Sequence, residues 1–450
     1  MKEKTAVQQN LLFDNRKLAA LLVPLAIDQL LNSFMGTVDT LVVSNLGSAA
    51  ISAVSLVDSI NVLIVQAFFA LASGGTVVCS HYLGCRKQEQ AKEAAGQLVF
   101  ITFLMSAVIA VLCLVFNHQL LSLIFGEVEA AVMTNAKQYF FLSAISYPFI
   151  ALYDDGACIL RAQENSSLPM KISVASNVVN LALNLLFVWG FHFGVAGSAC
   201  ATLLARVFAM AAVMIKLRNP GLEVPLRNYF SIRPDWGEIK RILNIGVPSG
   251  IENGMFQFGK LMLQSLVSTL GTASIAGFAV ANNLVTLQYL AGNALGLGLI
   301  TIVGQCVGAG EVKQAKTYTK KLLAVNYGIL LAVCTAMALG RGAIVGFYHL
   351  SPEAAGMAEE LILVHCFAMT VWPPAFALPN TLRAGMDARF TMMVSVFSMW
   401  VFRIGFAYLL VRGFGFGIMG GWCGMFIDWI FRMAVFLWRF RGFEKRAKRI

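Results

Sequence analysis

Acidic and amide side chains inside long apolar runs are where this sequence could do chemistry. Asp39, Asn180, Asn184 and Thr202 each sit in such a run. One carboxylate, two amides and a hydroxyl make an all-oxygen set. That set suits a hard cation such as Na⁺, held by Asp39, Asn180 and Thr202, or a proton carried on Asp39. An Asp at mid-membrane costs about 2.5–3.5 kcal/mol on insertion scales, so it needs a reason to be there. The same run as Asp39 holds Asp28, Gln29 and Asn32. At 100° per residue Asp28 and Asp39 differ by about 20°, so they share a helix face, with Asn32 and Gly36 near it. Ser173, Asn177, Asn180 and Asn184 follow one another at helical spacing, and Arg206 lies one turn after Thr202. The plain alternative is an interhelical hydrogen-bond network that moves no ion.

A second set lies later in the chain. Glu252 and Lys260 share one run, Arg403 sits on another, and Asp428 and Arg432 form an i,i+4 pair. Mutual neutralisation accounts for them; the sharper reading has Glu252 or Asp428 meeting a cationic solute. Phe256, Gln257, Asn282, Tyr289, Met399 and Trp400 are candidates for a substrate cleft, through stacking, cation–π contact and adaptable sulfur packing. Asp154 and Asp155 fall near a helix end, where solvation is expected. The five His (81, 118, 192, 349, 365) form no HExxH pair, and no GxSxG or phosphate-binding loop appears, so an enzyme is not expected. The nine cysteines are scattered without a CxxC and read as small buried thiols, neither disulfides nor metal ligands. No cofactor is expected beyond a transported Na⁺ or H⁺.

The elements that must position these groups are transmembrane helices. Of 450 residues 58% are hydrophobic and only 13% charged, with mean hydropathy +0.72. A soluble fold could not hide that much apolar surface, and a disordered chain would lack it. Twelve apolar runs are long enough to cross a bilayer, near 18–44, 50–82, 95–116, 133–153, 168–190, 195–216, 241–268, 272–306, 319–340, 357–381, 390–411 and 417–438. Lipid offers no partner for free backbone groups, so each run must be a helix. The net charge is +11, and Lys and Arg concentrate on one side: the N-terminus, alternate loops, the segment 217–240 and the C-terminal tail. The opposite loops hold only Arg341 and Arg412. By the positive-inside rule both termini are cytoplasmic, and the basic charge serves the membrane rather than nucleic acid. No cleavable signal peptide is expected, because residues 1–17 are polar and the run from Leu18 is too long for a signal core.

The two halves resemble each other. Shifting residues 17–92 by 224 gives 19 identities without gaps, among them Pro24/Pro248, Gly47/Gly271, Gly74/Gly298 and Gln90-Ala91-Lys92/Gln314-Ala315-Lys316. Arg161-Ala162 answers Arg383-Ala384, and Gly194 answers Gly417. Six helices per half enter from the same side, so the fold class is an all-α membrane protein of two parallel six-helix lobes around a central cleft. The domains are a cytoplasmic segment 1–17, an N-lobe 18–216, a basic linker 217–240, a C-lobe 241–438 and a basic tail 439–450. Two such lobes suit a secondary transporter. The repeat also sorts the polar residues. Asp28 answers Glu252 and Arg161 answers Arg383, as architectural residues or gate contacts would. Asp39 answers Leu263, Asn180 answers Arg403, Asn184 answers Ala407 and Thr202 answers Met425, so the oxygen set belongs to one half alone. Glycines at four-residue spacing, such as Gly246/Gly250/Gly254, read as close helix packing.

From residue 17 to about 440 the chain resembles the multidrug and toxic compound extrusion (MATE) transporters. The resemblance is carried by PLAIDQLLNSFMGTVDTLVVSNLG, ILRAQENSSLPM, NVVNLALNLLFVWGFHFGVAGSACAT, GVPSGIENGMFQFGKLMLQSLVSTLG and GMDARF, in order and duplicated. It implies an antiporter in the cell (inner) membrane that exports amphipathic, cationic organic compounds in exchange for Na⁺ or H⁺, with a monomer expected. It implies that Asp39 is the coupling carboxylate of the first helix and that Asn180 and Thr202 are its partners. Asn184 departs from the branch of the family that has Asp there. The tenth helix, LILVHCFAMTVWPPAFALP, lacks the acid of another branch, for which Glu252 is only a partial match. The competing readings are a lipid-linked precursor flippase of the same superfamily and a non-transporting polytopic receptor.

Overall fold

The computed structural model describes residues 12–44, 46–126, 129–226, 229 and 232–447, without the side chains of 34–41, 43 and 44. No strand occurs among the described residues. Among the described residues twelve long helices carry the fold. In the first half they are α1 (Asn15–Ser44), α2 (Ser48–Gly84), α3 (Gln88–Val115), α4 (Ala130–Ala162), α5 (Ser167–Gly190) and α6 (Gly194–Leu217). In the second half they are α7 (Trp236–Ser268), α8 (Thr272–Ala309), α9 (Val312–Gly346), α10 (352–384), α11 (Ala388–Gly413) and α12 (Gly417–Arg441). Nine of them, among the described residues, are long and apolar enough to cross a membrane. The other three are α1, α4 and α7, which carry Asp28, Asp154, Asp155, Glu252 and Lys260.

Local chemistry explains the irregular turns. Pro24, Pro148 and Pro248 lie inside α1, α4 and α7, each removing one backbone donor from its helix. In α10 the pair Pro373-Pro374 opens a wide π-type turn over Pro373–Ala377. Similar wide turns end α5 at Leu185–Gly190 and α11 at Leu409–Gly413, equivalent places in the two halves.

The repeat is written into the backbone. Ser48 and Thr272, and Gln88 and Val312, start their helices 224 residues apart; Gly194 and Gly417 do so 223 apart. The corners match in conformation as well. Twelve described residues have positive φ, and all fall into six equivalent pairs: Gly47/Gly271, Arg86/Gly310, Gly126/His349, Glu164/Met386, His192/Gly415 and Gly194/Gly417. Gly47 and Gly271, at φ 96° and 95° with the same ψ of 168°, precede α2 and α8 in a region that side chains rarely enter.

The chain forms two compact units, Asn15–Gly250 and Ile251–Ile450 with Met1–Asp14. The first keeps the segment before α7 and the opening turns of that helix. Gln97 Nε2 donates to Arg233 O at 2.6 Å, and Tyr82 Oη donates to Glu238 Oε1 at 2.7 Å. A Cβ on Gly74 would lie 2.8 Å from Gly246 N, so α2 and α7 touch backbone to backbone there. The core of this unit is small and aromatic, with Ala53, Val57, Phe68, Phe140 and Tyr147 all buried. In the second unit Phe13 is 1% exposed and sits edge-on to Tyr318 of α9. Phe13 N donates to Tyr318 Oη at 3.0 Å and Tyr318 Oη donates back to Phe13 O at 2.8 Å.

Candidate functional site

The polar residues of the first unit form two chains of hydrogen bonds. One joins α1 to α4 and α5. Arg161 Nη2 meets Asp28 Oδ2 at 3.3 Å, and Asn32 Nδ2 donates to Asp28 Oδ1 at 3.3 Å. Ser173 Oγ and Asn177 Nδ2 both donate to Asn32 Oδ1 at 3.2 Å. Gln29 is half-buried beside this stripe. The other chain joins α5 to α6. Asn184 Nδ2 donates to Asn180 Oδ1 at 3.0 Å, and Asn180 Nδ2 donates to Thr202 Oγ1 at 3.3 Å. Asn180 and Asn184 are buried. Three of the four residues expected to hold a cation are therefore adjacent. The fourth, Asp39, lies outside the described side chains. Oxygen ligands for a hard cation would come from these amides and the hydroxyl, because the described residues contain no cluster of three His, Cys, Asp or Glu side chains.

The repeat-related charges find each other. Asp28 pairs with Arg161, and Glu252 pairs with Arg383 Nη2 at 2.6 Å, each within its own unit. Ser395 Oγ also donates to Glu252 Oε1 at 2.7 Å. The acid of one helix thus meets the arginine ending another, at equivalent places in both halves. Asp428 is likewise engaged: Arg403 Nε lies 3.1 Å from Oδ2, Arg432 Nε lies 2.8 Å from Oδ1, and Ser398 donates to the same carboxylate. Neither Glu252 nor Asp428 is left open for a cationic solute, so mutual neutralisation accounts for both.

The substrate-cleft candidates separate. Phe256 and Tyr289 belong to one aromatic train: Tyr289 stacks on Trp372 at 6.0 Å, Trp372 on Phe376 at 5.4 Å, and Phe376 meets Phe256 edge-on at 5.8 Å. Arg403 and Lys260 lie over the Phe256 ring at 4.8 and 5.2 Å. Trp400 pairs instead with Phe258 at 5.8 Å, both exposed, on a face of α7 about 200° away from Phe256. Met399 is buried against Gly259, where it packs α11 onto α7. Gln257 is half-buried, and Asn282 is accessible on α8.

Two departures from the sequence expectation stand out. Asp155 is not solvated: it is 0% exposed, because α4 runs on to Ala162 and the residue lies well inside the helix. Asp154 beside it is half-buried. The second is a network that sequence reasoning passed over. Tyr139 Oη and Asn61 Nδ2 donate to Asp58 Oδ1 at 3.3 and 3.2 Å, Tyr147 Oη donates to Asn61 Oδ1 at 2.8 Å, and Arg206 Nη1 donates to Ser146 Oγ at 2.6 Å. The signal was present. Asp58 and Asn61 share an apolar helix at i,i+3 spacing, and their equivalents in the second half are Asn282 and Val285. The test that isolates Asp39 isolates Asp58 too.

The family model MatE matches this chain twice, over residues 24–186 and again over 248–409. The two matches begin 224 residues apart, the offset of the internal repeat. The uncharacterized transporter YisQ of Bacillus subtilis is 27% identical over 431 residues, 93% of this chain and 92% of that protein. The probable multidrug resistance protein NorM of Thermotoga maritima is 24% identical over 96% of this chain and 94% of its own length. Among solved structures, the outward-facing conformation of a multidrug resistance MATE family transporter of the MOP superfamily superimposes with a TM-score of 0.89. At 21% identity it covers 95% of this chain and 96% of that one, a likeness in fold.

Proposed function

The chain belongs to the MatE family of multi-pass membrane transporters, and from that premise we propose that it is a secondary antiporter exporting amphipathic organic compounds in exchange for Na⁺ or H⁺. The observation that carries this reading is the Asn184–Asn180–Thr202 chain across α5 and α6. The equivalent residues in the second half are Ala407, Arg403 and Met425, which offer no oxygen ligand. A one-sided oxygen set suits a one-sided task, and Asp39 supplies its negative charge. The ion binds from outside, and its different affinity for the two access states drives release of the solute. Both termini face the cytoplasm of a cell whose inner membrane holds the protein, as the basic loops favour. The protein acts as a monomer. A cationic group on the solute would be met by ring faces such as Trp400 and Phe258, since the carboxylates of the second unit are engaged by arginines.

Reconstituted vesicles loaded with a fluorescent organic cation, given a Na⁺ or an H⁺ gradient separately, test the reading. One gradient is expected to drive dye movement, and Asp39→Asn to abolish that drive. Gradient-driven movement unchanged in Asp39→Asn would remove the coupling role.

A further inference from the structure

We propose that the second unit contains an acid-recognition site, built by Lys260 and Arg403 around the Phe256 ring, that takes the carboxylate of an aromatic amphipath. The proposal deepens the exporter reading and rests on it for the source of the ligand. The argument begins with charge. Lys260 and Arg403 stand over the Phe256 ring, and Arg432, over the neighbouring Phe376, shares the carboxylate Asp428 with Arg403. Both oxygens of Asp428 are in use, one facing Arg403 and the other facing Arg432 and Ser398. Glu252, the other acid on α7, is held by Arg383 and Ser395. No carboxylate among the described residues pairs with Lys260. Four cations, Lys260, Arg403, Arg432 and Arg383, thus face two carboxylates, Asp428 and Glu252, an excess of two among the packed helices of the second unit. Lys260 lies eight residues from the end of α7, roughly 12 Å in. Uncompensated cations are costly in such a setting and call for an anion.

Access and shape agree with that demand. Arg403 is 2% exposed, and its Nη2 is buried without a hydrogen-bond partner among the described residues. Lys260 is accessible, so its ammonium can be reached from outside the packed core. The two charged ends share one ring, with Arg403 Cζ at 4.8 Å and Lys260 Nζ at 5.2 Å. A carboxylate placed there would accept from a guanidinium and an ammonium together, the stronger class of hydrogen bond. From the cations the half-buried rings of Phe256, Phe376 and Tyr289 continue around the buried Trp372, and their accessible edges could meet a flat hydrophobic body. A ligand with an acidic head and an aromatic body fits both parts.

The test uses the full chain in phosphatidylcholine nanodiscs, titrated calorimetrically with 2-naphthoate and with its neutral analogue 2-naphthamide. Naphthoate is expected to bind about tenfold tighter than the amide, a difference of about 1.4 kcal/mol. Lys260→Gln is expected to erase that preference, and Lys260→Arg to keep it. Lys260 has no ion-pair partner to strand, so these variants should fold. Absence of saturable naphthoate binding, or the same naphthoate-to-amide ratio in Lys260→Gln, would overturn the proposal. Loss of naphthoate binding when phosphatidylglycerol is added to the disc would assign the cations to a lipid headgroup and overturn it equally. Binding is read without any gradient. A protein that binds naphthoate but moves no dye in vesicles therefore refutes the exporter reading alone, and one that moves dye but ignores naphthoate refutes only this site.

Discussion

Replacing either member of the Glu252–Arg383 pair should cost more stability than any surface change in the molecule. The two charged groups approach to 2.6 Å, with side chains 9% and 14% exposed. At an effective dielectric near 20, that separation corresponds to an attraction of about 6 kcal/mol; the 3.3 Å of Asp28–Arg161 corresponds to about 5 kcal/mol. Desolvation offsets much of both values, so the pair itself contributes far less than its attraction. The single variant is another matter. Glu252→Gln leaves the Arg383 guanidinium buried with Asn380 Oδ1, at 3.0 Å, as a side-chain acceptor, and Arg383→Met leaves a buried carboxylate with a hydrogen bond from Ser395 but without its ion-pair partner. Each single change should cost about 3–5 kcal/mol, while the double change Glu252→Gln/Arg383→Met should cost less than the sum by about 2–3 kcal/mol. The same cycle on Asp28 and Arg161 should give the smaller coupling. The assay is denaturant or thermal unfolding of the purified full chain in detergent, followed by intrinsic fluorescence, for the four proteins of each cycle. Strict additivity at Glu252–Arg383, or singles that unfold with the wild type, would refute the assignment of these residues to a buried ion pair.

Gly74→Val should destabilise the first unit by about 1–3 kcal/mol or prevent its folding, because the new Cβ would meet Gly246 N and Ile242 O at 2.8 Å; expression yield and melting temperature check this. Tyr318→Phe removes both hydrogen bonds to Phe13 and should cost about 1–3 kcal/mol, read as faster amide exchange at residues 13–15. Asn180→Leu should break the link between α5 and α6 at Thr202 and leave the Asn184 amide short of an acceptor; a loss of gradient-driven transport larger than the loss of stability is expected, and equal losses would make the chain purely structural. Asp58→Asn should slow transport while Asn282→Asp, at the equivalent place, should not, in the same vesicle assay.

Much of this was legible in the sequence because lipid leaves a chain few options. Apolar runs had to be helices, and the helix starts at Ser48, Thr272, Gln88 and Val312 follow the repeat seen in the letters. Pairings were harder. That Asp28 answers Glu252 and Arg161 answers Arg383 could be read by alignment, yet nothing in the alignment says that each acid meets its own arginine; that depends on how α1 approaches α4 and how α7 approaches α10. Asp155 was misjudged for a related reason, since distance from an apolar run's end says little about burial when the helix continues beyond the run. Trp400 and Phe256 look alike as aromatic residues of spanning helices, but the 200° between Phe256 and Phe258 sends their partners to different faces. Asp58 is hard to single out in the sequence because only one of its partners, Asn61, is local, whereas the other, Tyr139, comes from α4, 81 residues away.

The six paired corners have a practical reach. At Arg86/Gly310, Gly126/His349 and His192/Gly415, one half uses glycine and the other a bulky side chain at positive φ. An L side chain held there carries a penalty of about 1–2 kcal/mol that glycine avoids. Each half therefore acts as a template for mending the other: Arg86→Gly, His192→Gly and His349→Gly copy a solution the molecule already contains. Stacked together, they offer a route to a hardier protein for crystallisation without touching Asp39, Asn180, Asn184 or Thr202.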